Sequence, residues 1–236
     1  MPRLRTTPVP LACLGLLLAL LGACATPHAP VATVAYWRMD SAALRDPPLE
    51  RYFDQRLAAI APAGPAAASV LMRPPGMRAE WRQPGAVLLW IDLLLRVVDD
   101  DELSFVLAHE LGHAALGHAA TTVGAGAAGS LLEQQADRWA RDRIVAMGFR
   151  RDAGITLLRA LAKELGEDPA RTAVHAEILL RLDAMQAWPT TGRTATGAAP
   201  AEWPALQRAR REAWATMDPS LRDDPIRAAR VRARWR

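Results

Sequence analysis

The sequence predicts an α+β domain, mostly helical, with a small antiparallel sheet beside a helix that carries an H-E-x-x-H pattern. Three observations predict it. Leu103, Val106, Leu107 and Leu111 recur at helical spacing. Three short strand candidates, around Val70–Met72, Met77–Trp81 and Val87–Trp90, are separated by Pro74-Pro75-Gly76 and Pro84-Gly85. A second helical run follows the glycine-rich stretch from Gly124 to Gly129.

Residues 1–23 read as a signal peptide. Arg3 and Arg5 form a positive start, and the apolar run from Val9 to Ala23 has the length of a signal core more than of a membrane span. Leu21-Gly22-Ala23-Cys24 resembles a bacterial lipobox, with cleavage before Cys24 and lipid on that cysteine. An ordinary cleaved leader or a short anchor helix are the alternatives. Cys13 lies in the leader, so the mature chain holds Cys24 alone and no internal disulfide framework is expected. Ala25 follows Cys24 where some lipoproteins have an aspartate. By resemblance to Gram-negative lipoproteins, that favours the outer membrane, facing the periplasm. Several acyl chains give stable anchoring where one does not.

Residues 24–47 read as a Pro/Ala tether. The domain proper is expected over 48–186, opening with an amphipathic helix over 48–60. The motif helix begins at Asp99-Asp100-Asp101-Glu102, acidic residues that suit the positive end of a helix dipole.

His109-Glu110-Leu111-Gly112-His113 is the centre of the reading. Successive helical residues turn by about 100°, so two histidines four apart share a face and both rings can reach one metal. Glu110 lies beside them, placed to handle a proton of water. The bland alternative is a surface helix whose histidines bind nothing. Zinc in a hydrolase usually takes three protein ligands, so a third is needed. His118 lies five residues after His113, and on a continued helix it would be rotated off the ligand face; it reads as a polar helix-end residue.

Glu133 is the better candidate. The glycine run should end the motif helix and reverse the chain, with a new helix from near Ser130 to Met147 and Gly148 as its stop. Glu133 and Asp137 share a face of that helix. Glu133 would ligate the metal while Asp137 accepts the distal N–H of a ligand histidine and fixes its tautomer. Ser130-x-x-Glu133 also reads as a capping box, which would commit Glu133 to the helix start.

H-E-L-G-H followed by E-x-x-x-D is similar to the gluzincin arrangement. Gly85–Trp90, Asp101–Ala108 and Glu133–Ala140 with Met147-Gly148-Phe149 resemble the HtpX-like, CAAX-prenyl-endopeptidase-like zinc metallopeptidases, over about residues 66–186. The resemblance implies a mostly helical gluzincin-like minimal domain and one zinc per chain. It implies His109, His113 and Glu133 as ligands, Glu110 as general base and Asp137 as the residue behind a ligand. It also implies an edge strand over the cleft that pairs with an extended or unfolded polypeptide substrate. The chain departs from the pattern in three places. The linker between the two helices is short. Arg78-Ala79-Glu80-Trp81 replaces the Asn-Ala often found near the central strand, which leaves strand register open. His175 stands without the proline that relatives often carry. His175 is expected either near the metal, as an oxyanion donor or a plug ligand, or as a polar residue at a helix start.

Residues 151–186 are expected to add helices over the back. Residues 187–236 read as a flexible linker and a basic Trp/Arg-containing extension, with ten Arg against five acidic residues, in a chain of net charge +4. A solvated helix packed on the body, or a disordered terminus, is expected there ahead of contact with anionic lipid or a partner. Nucleic acid is not an expected partner; lipid through Cys24 is. The function expected is proteolysis of unfolded or misassembled envelope proteins. An envelope chaperone or assembly factor with latent protease activity, and a lipoprotein whose metal helix is structural, are the rivals.

Overall fold

The computed structural model describes residues 35–36, 38–64, 67–118, 127–166, 172–188 and 202–234. The leader, Cys24 and most of the tether lie outside the described residues. So do Gly124, Gly126 and the 190–197 linker. No helix among the described residues is long and apolar enough to cross a membrane.

The first elements are β1 (Ala43–Leu44) and α1 (Pro47–Ile60). Asp46 caps α1 by accepting from the Leu49 N–H at 3.2 Å, and Pro47-Pro48 occupy the first turn, where no N–H is missed. Leu49, Phe53, Leu57 and Ile60 fall on one face and are buried.

Strands β2 (Ala68–Met72), β3 (Ala79–Arg82) and β4 (Ala86–Trp90) complete a four-stranded sheet in the order β1-β2-β4-β3. The fold class is the expected α+β, but the sheet is mixed rather than antiparallel. β1–β2 and β3–β4 are antiparallel, and β2–β4 at the centre is parallel, with Val70 opposite Leu88. The chain leaves β2, forms β3 at the far edge and returns through the turn at Gly85, so β4 enters between them. Apolar alternation within each run does not encode this order. β4 is buried along its whole length, as a central strand with a parallel neighbour should be. Val87 and Leu89 face the main core, while Ala86, Leu88 and Trp90 face a second cluster on the other side. The register left open by Arg78–Trp81 is Ala79 opposite Leu89 and Trp81 opposite Val87.

After a short α2 (Ile91–Leu94) comes the motif helix α3 (Asp100–Ala115), capped by Asp99, which accepts from the Glu102 N–H at 2.8 Å. Every residue from Glu102 to His113 is buried, so α3 is the central rod of the domain. It touches α1, β3, α4 (Ala127–Ala146) and α5 (Ala153–Leu165). α3 ends before the glycine run, at Gly117 with φ +70°, a conformation glycine adopts without strain. α4 starts at Ala127, upstream of Ser130, and stops at Gly148 with φ +90°.

α6 (Thr172–Ala187) follows, then α7 (Glu202–Arg208), α8 (Arg211–Met217), α9 (Pro219–Arg222) and α10 (Pro225–Arg234). These last four helices share the main core. Trp203 is 0 % exposed, stacks near Phe53 at 5.6 Å and donates from its ring N–H to the Val97 carbonyl. Gln207 donates to the Leu94 and Val97 carbonyls, and Asp218 pairs with buried Arg96. The described part of the extension is therefore an integral layer of the domain. Trp203, Trp214, Leu221, Ala228 and Val231 turn inward, Arg211 is buried against Gln207, and Arg208, Arg222, Arg230 and Arg232 are exposed.

Candidate metal centre

The two histidines arrive on α3 as their spacing requires. Glu133 arrives because α3 and α4 approach closely at Gly112. A Cβ there would lie 3.2 Å from the Ala136 carbonyl oxygen and 3.3 Å from its Cα, so any larger residue beside His113 would press on the α4 backbone. His109 Nε2 lies 3.1 Å from His113 Nε2 and 3.1 Å from Glu133 Oε2; His113 Nε2 lies 3.4 Å from Glu133 Oε1. A tetrahedral ion with bonds of about 2.0–2.1 Å separates its ligands by about 3.3–3.4 Å. The three buried donor atoms thus already stand near the edge lengths of a tetrahedral site. Two imidazoles and a carboxylate are also the right donor set for such a metal.

The capping-box alternative for Glu133 fails on position. Ser130 sits inside α4, beyond its first residues, and bonds to Gln134 instead.

Asp137 accepts from His109 Nδ1 at 2.9 Å and is fully buried. That leaves His109 Nε2 free to face the cluster. Behind Asp137 stands Arg181 of α6, which the sequence reading left without a role. Its Nε and Nη2 grip Asp137 at 2.8 and 2.6 Å, and Nη1 reaches Glu133 Oε2 at 3.0 Å. Burial opposes the charge on Asp137, and Arg181 and His109 more than offset it, so its pKa falls below the ordinary carboxylate value. The same holds for Glu133, through His109, His113 and Arg181. Burial disfavours a charged His109, yet Glu133 and Asp137 raise it to about 10 in the metal-free cluster. A cation bound among these atoms displaces that proton. The sequence signal for Arg181 was charge balance: two interior carboxylates one turn apart need a fixed cation.

Glu110 is buried, and its Oε2 accepts the Trp81 backbone N–H at 2.7 Å. Burial raises its pKa, Glu133 adds to the rise, and His109 and His113 oppose it. A carboxylate with a raised pKa is a stronger base than a free one, which suits it to taking a proton from water.

His118 is also buried, with Nδ1 3.0 Å from His113 Nδ1 and Nε2 3.1 Å from Gln135 Oε1. As expected, it stands at the helix end and outside the His109–His113–Glu133 group, but α3 stops before it and its ring folds back on His113. Burial and the neighbouring His113 lower its pKa from the ordinary histidine value.

His175 does not join the cluster. α6 turns Val174, Glu177, Ile178 and Arg181 toward the cleft, and His175 is rotated away from that face. Its ring packs beside Gly166 at the end of α5, 3.1 Å from where a Cβ would stand. The expected oxyanion or plug role has no geometric support, and the helix-start reading fits.

The cluster opens into a cleft of about 320 Å³. β3 forms one rim through Arg78–Trp81, and Phe105, Leu157, Leu158, Leu161 and Ile178 form an apolar wall. α5 and α6, expected over the back, are therefore walls of the cleft.

Residues 79–162 match peptidase family M48. The M48-like segment runs from β3 through α5 and contains His109, Glu110, His113, Glu133 and Asp137; Arg181 and the last four helices lie beyond it. Peptidases of this family are metal-dependent, and the match supports a metallopeptidase. No curated protein matches the chain.

Proposed function

We propose that the protein is a zinc-dependent endopeptidase of the HtpX-like kind, held by lipid on Cys24 in a bacterial envelope, facing the periplasm. Unfolded or misassembled envelope polypeptides are its proposed substrates. One observation carries the reading: a buried glutamate, Glu110, stands between the His109–His113–Glu133 triangle and the edge strand of a sheet. The lipobox-like Leu21–Cys24 supports the anchor.

When bound, zinc polarises a scissile carbonyl and brings the pKa of an attacking water toward neutrality. The chain's own residues do the rest. The Trp81 N–H holds Glu110 Oε2, so Oε1 is left to take the proton of the attacking water and to return it to the leaving amine. Among the described residues, β3 has no strand on its outer side. An extended peptide can lie along that edge by main-chain hydrogen bonds, which selects for unfolded chain more than for sequence. Asp137 and Arg181 hold His109 and Glu133 in place.

The test compares digestion of an unfolded outer-membrane protein by membranes carrying the parent, Glu110→Gln or Cys24→Ser chain. Glu110→Gln should retain its zinc and lose roughly 10² or more in rate. Cys24→Ser should keep the activity and leave the membrane fraction. Equal rates for parent and Glu110→Gln would overturn the mechanism, and a membrane-bound Cys24→Ser chain would overturn the anchor.

A further inference from the structure

A histidine that binds a metal through Nε2 carries its proton on Nδ1, and that proton needs an acceptor. For His109 the acceptor is a carboxylate, Asp137. The nearest group to His113 Nδ1 is another imidazole, His118 Nδ1 at 3.0 Å.

The end of α3 explains how it gets there. The His118 N–H donates to the His113 carbonyl at 2.9 Å, and the Gly117 N–H donates to the Ala114 carbonyl at 3.2 Å. With Gly117 at φ +70°, these two bonds make a Schellman motif. That motif brings the third residue from the helix end against the second residue beyond it, a contact usually apolar. Here the two positions are His113 and His118, and their rings meet at 5.1 Å between centroids.

The hydrogen-bond chain then has one consistent direction. Gln135 Oε1 only accepts, so His118 Nε2 donates to it across 3.1 Å. With its proton committed to Gln135 through Nε2, His118 presents the lone pair of Nδ1 to His113, whose Nδ1–H donates across 3.0 Å. His113 Nε2 is thereby unprotonated and faces His109 and Glu133. We propose that His118, relayed to Gln135, is the positioning residue that sets the tautomer and orientation of His113 for metal binding. The two ligand histidines are thus supported differently, one by an ion-paired carboxylate and the other by an imidazole–amide relay.

The proposal rests on the metal centre described above and needs no peptide hydrolysis. It is tested on the full chain by competing zinc against a chromophoric chelator. His118→Leu fills the same space and accepts no hydrogen bond; His118→Asn is smaller and can accept one. Loss of a partner behind a ligand typically weakens metal binding about 10–100-fold, and that loss is expected for His118→Leu. His118→Asn should stay much nearer the parent. Parental affinity in His118→Leu, or an equal loss in both variants, would overturn the relay and leave a packing role. A parent chain that binds no zinc would overturn both the relay and the metal centre. Parental zinc binding with the expected Leu/Asn split, but without proteolysis, would overturn only the proposed function.

Discussion

The two halves of α3 hold opposite kinds of polar group. Its first turn is a row of acids, each tied to a distant segment. Asp99 and Asp101 pair with Arg150, Asp100 with Arg56, Tyr52 and the Trp203 N–H, and Glu102 with Arg234. Its last turns hold His109, Glu110 and His113, which meet the acids of α4 and, among the described residues, the guanidinium of Arg181. The difference teaches where the opposing charge comes from. At the first end, arginines from the rest of the fold answer the acids. At the second, Glu110, Glu133 and Asp137 face Arg181 and a proton on His109, which is the electrostatic condition for taking up a dication. The first end ties the domain together, and the second gathers the groups that the proposed chemistry needs.

The strongest way to break the first end is to remove Trp203. Its ring is 0 % exposed and its backbone and ring N–H groups both bond to the start of α3 and the loop before it. Trp203→Ala should cost about 3–5 kcal/mol. For a domain of this size that is a fall of roughly 6–20 °C in Tm. Zinc should raise the Tm of parent and variant alike, so the gap between them, read by thermal unfolding with and without zinc, should not change. A gap that closes with zinc would mean that the two ends are not separable.

Arg181→Met is the matching break at the second end. It leaves Asp137 and Glu133 without their fixed cation, and removing one member of a buried pair costs about 3–5 kcal/mol. Arg181 is partly open to the cleft, at 14 % side-chain exposure, which places it toward the lower figure. Here the loss should depend on metal. Zinc supplies the missing charge, so the variant's deficit in Tm should be full in chelator and smaller in saturating zinc. An identical deficit in both conditions would mean that Arg181 acts by packing alone.

The chemistry of α3 was more legible in the sequence than its surroundings. H-E-x-x-H and the E-x-x-x-D on the next helix are local patterns, and helical geometry alone places each pair on one face. The motif helix, the three main strands and the stop at Gly148 were legible for the same reason. What joins distant segments was not. The insertion of β4 between β2 and β3 leaves no mark on the alternation within either strand. Arg181 stands forty-four residues after Asp137, and only the need to balance interior carboxylates points toward it. The contact of His118 with His113 was not legible, because it depends on the helix stopping before Gly117; one residue at positive φ brings the ring to the back of His113. The extension looked solvated because its arginines outnumber its core residues, yet Trp203, Trp214, Leu221 and Val231 supply an inward face.

The smallest expected effect sharpens the first end further. Glu102 is 0 % exposed and accepts from the Val98 N–H at 3.0 Å. Burial raises its pKa from 4.5 to about 7, and the ion pair with Arg234 at 2.9 Å opposes that rise without cancelling it. In the unfolded chain the group ionises first. Between pH 4.5 and about 7 the folded protein keeps a proton that the unfolded chain has lost. The stability contributed is therefore fully present below pH 4.5 and is lost as pH rises through about 7. The change is on the order of 1–3 kcal/mol, spread over more than two pH units. Other carboxylates titrate in the same range, so the measurement is the difference between parent and Glu102→Gln in denaturant unfolding at pH 4, 5, 6, 7 and 8. Relative to the variant, the parent should lose stability across that range and then level off. If it gains stability instead, the Arg234 pair outweighs burial at this position.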